Sequence, residues 1–167
     1  MAIGLQESQI DALATRLGRR MVLAGGMIAT VESCTGGLIA RALTETPGSS
    51  QWFDRGFVTY SNEAKIEMVG VSAQTLAAHG AVSEPTALEM ARGALDRSRA
   101  RLSLSVTGVA GPGGGSIDKP VGTVCFGWAH AGGAARALTW RFDGDRASVR
   151  LQAALFALQG AWDMLSD

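Results

Sequence analysis

The sequence predicts an α/β protein, a three-layer α/β/α sandwich built on a mixed sheet and folded as a single domain over residues 1–167. Three observations lead there. The chain has 167 residues, 47% of them hydrophobic and 18% charged, which is enough apolar material for one buried core. Short apolar runs alternate with amphipathic helical stretches through much of its length, as in strand–helix units. Two late strand-like runs are joined by Gly132-Gly133, a hairpin signal that adds antiparallel pairing. No internal repeat, linker or low-complexity segment interrupts this order.

From about Leu5 to Leu23 an amphipathic helix is expected, with Ile10, Leu13, Leu17 and Met21 on one face and Gly25-Gly26 ending it. Met27–Val31 reads as a short buried strand, and a second helix runs from Gly36 or Gly37 to Pro47-Gly48. Phe57–Tyr60 reads as a strand, with Asn62 capping a short helix that ends near Gly70. Ser72 caps another short helix to His79, and Ser83-Glu84-Pro85 opens a long one. Leu102–Val106 alternates as a half-buried strand does. Gly108–Gly115 is a glycine-rich loop, and Val121–Trp128 with Ala135–Phe142 forms the hairpin. After Asp143-Gly144-Asp145 comes a last helix, with Leu151, Leu155, Leu158 and Trp162 along its inner face.

Composition narrows the function. Fifteen basic residues balance fifteen acidic ones, so the chain lacks the electrostatic footprint of a DNA- or RNA-binding protein. Residues 1–11 hold no signal-peptide apolar core, and no run is long enough to span a bilayer. A cytoplasmic protein with reduced thiols is expected, without membrane or nucleic-acid partners. Cys34 and Cys125 stand apart and His79 and His130 have no ligand-like neighbours, so neither a metal site nor a cofactor is expected.

Four stretches carry candidate chemistry. Val31-Glu32-Ser33-Cys34-Thr35-Gly36-Gly37 places a hydroxyl between a strand and a helix. The N–H groups of Thr35, Gly36 and Gly37 at that helix start suit an oxyanion or an anionic group. Ser33 is either a nucleophile or a helix cap. Cys34 is a rival nucleophile or a small packing residue. Tyr60-Ser61-Asn62-Glu63-Ala64-Lys65 puts a lysine in a first helical turn, where the dipole disfavours a cation. That field would help keep Lys65 neutral and able to take a proton from Ser33, with Tyr60 bonding one of them or the reacting carbonyl. The plain alternative is an exposed lysine near Glu63 or Glu67.

Thr107-Gly108 through Gly114 runs from a strand into glycines whose N–H groups suit a phosphate, or it is an ordinary connection. Lys119 follows it. Arg146 and Arg150, one turn apart at the start of the last helix, share a face that suits an anion or is simply solvated.

Taken together, these segments, with Gly80-Ala81-Val82-Ser83, Lys119-Pro120-Val121-Gly122-Thr123 and Gly144-Asp145-Arg146, resemble the C-terminal domain of the competence/damage-inducible protein CinA. They occur in family order and cover nearly the whole chain. The family includes stand-alone nicotinamide mononucleotide amidohydrolases, so the resemblance implies hydrolysis of a nicotinamide carboxamide to a carboxylate and ammonia. It places the nucleophile, or a residue that orients the attacking water, on Ser33 with Lys65 and Tyr60 as partners. The nucleotide would draw on Thr35, Gly36, Gly37, Ser83, Thr107, Gly108, Gly111, Gly114, Lys119, Arg146 and Arg150. Larger relatives carry an additional N-terminal domain, which this chain is expected to lack, and a homodimer or higher homo-oligomer is expected from the family. A nucleotide-binding or regulatory module without turnover, and an amidase for another phosphorylated amide, are the competing readings.

Overall fold

The computed structural model describes residues 2–165. Helix α1 (Ala2–Leu23) leads into strand β1 (Ile28–Glu32), helix α2 (Leu38–Glu45), a single 3-10 turn and strand β2 (Phe53–Val58). Three helices follow, α3 (Asn62–Val69), α4 (Ala73–His79) and α5 (Glu84–Asp96), then strands β3 (Leu102–Gly108), β4 (Thr123–His130) and β5 (Ala135–Arg141) and helix α6 (Arg146–Met164). The five strands form one sheet in the order β2-β1-β3-β4-β5. β1 pairs in parallel with both β2 and β3, while β4 runs antiparallel to β3 and to β5. The mixed sheet and helix-covered faces are those the sequence predicted. Among the described residues no helix is long and apolar enough to cross a membrane.

One face of the sheet presents Ile28, Leu102, Leu104, Val106, Val124, Phe126 and Trp128 to α1, α2 and α6. Ile10, Leu13, Leu17 and Met21 are buried on α1, as their spacing required. On α6 Leu151 and Leu158 are buried, but Leu155 and Trp162 only pack against the cluster's edge. The helix instead seats Val149, Ala153, Ala154, Ala157 and Ala161 in the core, because the bulky Trp128 needs small residues opposite it. Trp128 Nε1 donates to Ala157 O at 2.8 Å, which satisfies the one polar group the ring buries.

The other face corrects a sequence expectation. Ser103 and Ser105 are fully buried, so β3 is covered on both sides rather than half-exposed. Their hydroxyls donate to Ala91 O and Ala87 O, each at 2.6 Å, and so dock α5 onto the strand. Ser105 pairs in register with Gly127 of β4 and Ser103 with Ala129, making a floor of small residues. A Cβ on Gly127 would lie 2.3 Å from Ala87 O, so the helix backbone sits where any side chain would be.

Boundaries moved where pairing overrode pattern. β2 starts at Phe53 rather than Phe57, because the polar Asp54-Arg55-Gly56 stretch occupies an edge strand that has one neighbour. β4 begins two residues later than expected and continues to His130. Helix α2 starts at Leu38, since Gly36 and Gly37 take φ of +58° and +97° in the preceding turn. The carboxyl ends of β1, β2, β3 and β5 and the amino end of β4 therefore meet at one end of the sheet, where α/β folds gather their functional loops.

Gly127→Ala forces α5 off its serine floor. We expect a loss of about 1–3 kcal/mol in urea unfolding at unchanged m-value. A midpoint equal to the parent's would show that the helix has room there.

Candidate active site

Two side chains from different elements meet at that end of the sheet. Ser33 directly follows β1, and its N–H donates to Val106 O at 2.9 Å, extending the β1–β3 ladder by one residue. Lys65 belongs to α3, which Ser61 caps by accepting from Ala64 N at 3.0 Å. The sequence pattern points to Asn62 for that role, but Asn62 is the first residue of the helix itself. Lys65 is only 1% exposed, and its Nζ donates to Thr59 O at 2.8 Å and to Ser33 Oγ at 3.2 Å. Burial pushes its pKa below 10.5, and a weaker influence of Cys34 acts the other way. The perturbation expected from the helix dipole thus has desolvation as its cause. Ser33 is 8% exposed, which leaves a hydroxyl in contact with the amine and with an opening to solvent.

The turn after Ser33 is built differently from expectation. Gly36 N–H donates to Ser33 O at 3.0 Å and Gly37 N–H to Glu32 Oε2 at 3.1 Å, so neither is free for a ligand. Glu32, 1% exposed, also accepts from Ile39 N and Ala40 N at 3.1 and 2.8 Å. Its carboxylate thereby occupies the positive end of α2 that the sequence pattern offers to an anion. Thr35 N–H makes no hydrogen bond to another described residue, but the side chain is fully buried. Arg150 is engaged too: Nε donates to Cys34 O and a terminal nitrogen to Thr35 O, both at 3.0 Å. It clamps the back of the turn. The sequence signal for Glu32 is a glutamate directly preceding the serine–glycine turn.

A groove of about 310 Å³ opens onto the pair. It is lined by Ser33, Cys34, Tyr60, Asn62 and Lys65 and by Thr107, Gly108, Gly111, Gly114 and Arg146. Arg146 donates to Gly111 O at 2.8 Å and to the Tyr60 hydroxyl at 3.0 Å, tying the glycine loop to the 61% exposed tyrosine. Thr107 Oγ1 donates to Ala81 O at 2.9 Å. The N–H groups of Ala110, Gly111, Gly113 and Gly114 make no hydrogen bond to another described residue, so this loop, rather than the Gly36-Gly37 turn, offers free donors. Asn62, relieved of capping, has a carboxamide without a hydrogen-bond partner among the described residues.

Ser83 and Lys119 lie outside the groove lining. Ser83 caps α5 and donates to Gly80 O at 2.9 Å, and Lys119 Nζ donates to His79 O at 2.7 Å, tethering the long loop to the end of α4. Cys34 lines the groove, but burial pushes its thiol up to about 12, which suppresses the thiolate a nucleophile needs. A larger concavity, about 660 Å³, lies between α1 and α6 over Phe142, Leu155 and Phe156, and it holds no paired titratable groups. The chemistry is in the smaller one. Among the described residues no group of three or more His, Cys, Asp or Glu is gathered where it could hold a metal ion.

These features can be set beside known proteins. A sequence model of the CinA C-terminal domain matches residues 10–165. The nicotinamide-nucleotide amidohydrolase PncC of Shigella flexneri is 52% identical over 160 residues, covering 95% of this chain and 96% of that protein. The protein of the same name from Escherichia coli strain K12 is 51% identical over 158 residues, with coverage of 95% and 96%. The crystal structure of competence/damage inducible protein CihA from Agrobacterium tumefaciens superposes with a TM-score of 0.91 at 49% identity, covering 95% of this chain and 96% of that one. A match that runs almost end to end, in sequence and in fold, means that this chain belongs to the CinA C-terminal domain family.

Proposed function

We propose that this protein is a metal-independent amidohydrolase that converts nicotinamide mononucleotide to nicotinate mononucleotide and ammonia, with Ser33 as nucleophile and Lys65 as its base. The observation that carries the reading is the contact of Lys65 Nζ with Ser33 Oγ at 3.2 Å on the floor of a groove. A binding module has no use for a buried amine against a hydroxyl. The relatives named nicotinamide-nucleotide amidohydrolase support the substrate.

The sequence of steps follows from the groups present. Once Nζ has given up its proton, its lone pair faces the Ser33 hydroxyl and takes the hydroxyl proton as Oγ attacks the carboxamide carbon. The carbonyl oxygen becomes an oxyanion, for which the N–H groups of the 110–114 loop, lining the groove without a partner among the described residues, are available donors. As the C–N bond breaks, the Lys65 ammonium returns the proton and ammonia leaves. Water then hydrolyses the ester, with Lys65 again taking a proton, which releases the carboxylate and restores the Ser33 hydroxyl. Arg146, held at the groove mouth between Gly111 O and Tyr60, has further N–H donors for the substrate phosphate.

Ammonia release from nicotinamide mononucleotide, followed with chelator present, tests this directly. Ser33→Ala and Lys65→Ala each lose about 10²–10⁴-fold in kcat, while Cys34→Ala keeps the parent rate. Saturable nucleotide binding without ammonia release would replace the amidase with a binding module. Arg146→Ala raises KM about 10–100-fold with a smaller change in kcat, the equivalent of losing one charged hydrogen bond.

The lowered pKa of Lys65 also makes a stability prediction. In the window between its folded-state value and 10.5, the unfolded chain holds more protons than the folded one, so stability rises with pH. Below that window both states carry the ammonium, and the folded state bears the full cost of burying it. Lys65→Met lacks this dependence. The stability of the parent relative to Lys65→Met, from urea unfolding, should increase between pH 7 and pH 10. A constant difference would mean that the amine is not perturbed.

A further inference from the structure

Glu32 is a buried carboxylate that the reaction above does not use. It has no ion-pair partner among the described residues. Its charge is met instead by the N–H groups of Gly37, Ile39 and Ala40 at 3.1, 3.1 and 2.8 Å. The same residue is held at the main chain, because Thr59 N–H donates to Glu32 O at 2.9 Å. Thr59 O in turn accepts from Lys65 Nζ at 2.8 Å, and Lys65 Nζ reaches Ser33 Oγ, one bond along the chain from Glu32. Residues 32, 33, 59 and 65 therefore close a ring of hydrogen bonds and covalent links.

The turn that carries Ser33 is fastened at its start by the sheet and at its end by the Glu32 side chain reaching across it. Arg150 holds the carbonyls between, at Cys34 and Thr35. A neutral residue does not replace the carboxylate. An amide offers one acceptor oxygen and turns its NH₂ toward N–H donors, and an apolar side chain leaves all the donors unmet.

We propose that Glu32 is a positioning residue for the reaction: by stapling the turn from Ser33 to the start of α2, its carboxylate sets the contact between the Ser33 hydroxyl and the Lys65 amine. This assignment rests on the amidase reading for its kinetic consequence, but the geometry it claims is independent of substrate. Glu32 touches neither substrate nor reacting atoms. It acts through the turn.

The test uses two readouts on Glu32→Gln, which keeps the shape, and Glu32→Asp, which keeps the charge but withdraws it by one methylene. The first is kcat and KM for nicotinamide mononucleotide, normalised to folded protein. The second is the titration of Lys65, followed by ¹³C NMR of protein labelled at the lysine Cε. Lys65 and Lys119 are the only lysines, so two resonances are expected, assigned with Lys65→Met. Cys34 is the titratable group acting on Lys65 and is the same in every variant.

Glu32→Gln should lower kcat at least about tenfold with KM little changed, and its Lys65 midpoint should move up toward the ordinary lysine value of 10.5 as the amine gains water. Glu32→Asp should show the same changes to a smaller degree, and it carries the test if Glu32→Gln does not fold. A lower Tm with kcat and the Lys65 midpoint both unaltered would make Glu32 purely a helix cap and overturn the proposal. A parent protein that releases no ammonia would sink the amidase reading instead, and the lysine titration would still decide whether Glu32 holds the pair.

Discussion

The contact between Lys65 Nζ and Ser33 Oγ is the constraint around which the rest of this structure is arranged. A lysine that is 1% exposed has lost nearly all its hydration, and nothing in the groove restores it as a counter-charge would. The protein accepts that cost by giving the amine a backbone carbonyl at Thr59 and a serine hydroxyl, both neutral. Neutral partners stabilise an amine without holding its proton strongly. A carboxylate in their place would have made an ion pair and a poor base. The nearby carboxylate, Glu32, is directed the other way, into the start of α2.

Holding two groups in such a contact requires rigid support on both sides. Ser33 rides on the β1–β3 ladder, the interior of a sheet buried on both faces. Lys65 rides on α3, whose position depends on the close packing of α3 against α5 and of α5 against the sheet. Gly93 of α5 sits where a Cβ would be 1.7 Å from Val69 O, so these helices meet backbone to backbone. The serine floor of β3 does the same for α5 and the sheet. Small residues thus shorten the distances between layers, and the site inherits its geometry from them.

The two arginines of α6 show how one sequence feature divides into two functions. Arg146 faces the groove and bonds Gly111 O and Tyr60, whereas Arg150, one turn on, bonds the carbonyls of the Ser33 turn from behind. Their i, i+4 spacing placed them on one helix face, and that is where they are. Which of them meets solvent depends on a turn more than a hundred residues earlier in the chain. The same holds for Ser83 and Lys119, whose polar groups are taken up in fastening α4, α5 and the long loop to one another.

Local pattern by itself determined the class of fold, the α1 face, the cap at Ser72, the helix opened by Ser83-Glu84-Pro85 and the hairpin, because each rests on neighbours within a few residues. It also drew attention to Ser33, Lys65, Tyr60 and Arg146, which the structure gathers in one groove. Tertiary structure alone decided which N–H groups are free. Gly36 and Gly37 looked like an open anion site until Glu32 was seen to fill it, and the 110–114 loop emerged as the segment with unmet donors. It alone buried Ser103 and Ser105, whose alternation with leucine reads as a solvent face until α5 is laid over them. Periodicity records which side of an element a residue is on. What lies against that side is set by elements distant in sequence, through packing and through the pairing of every buried polar group.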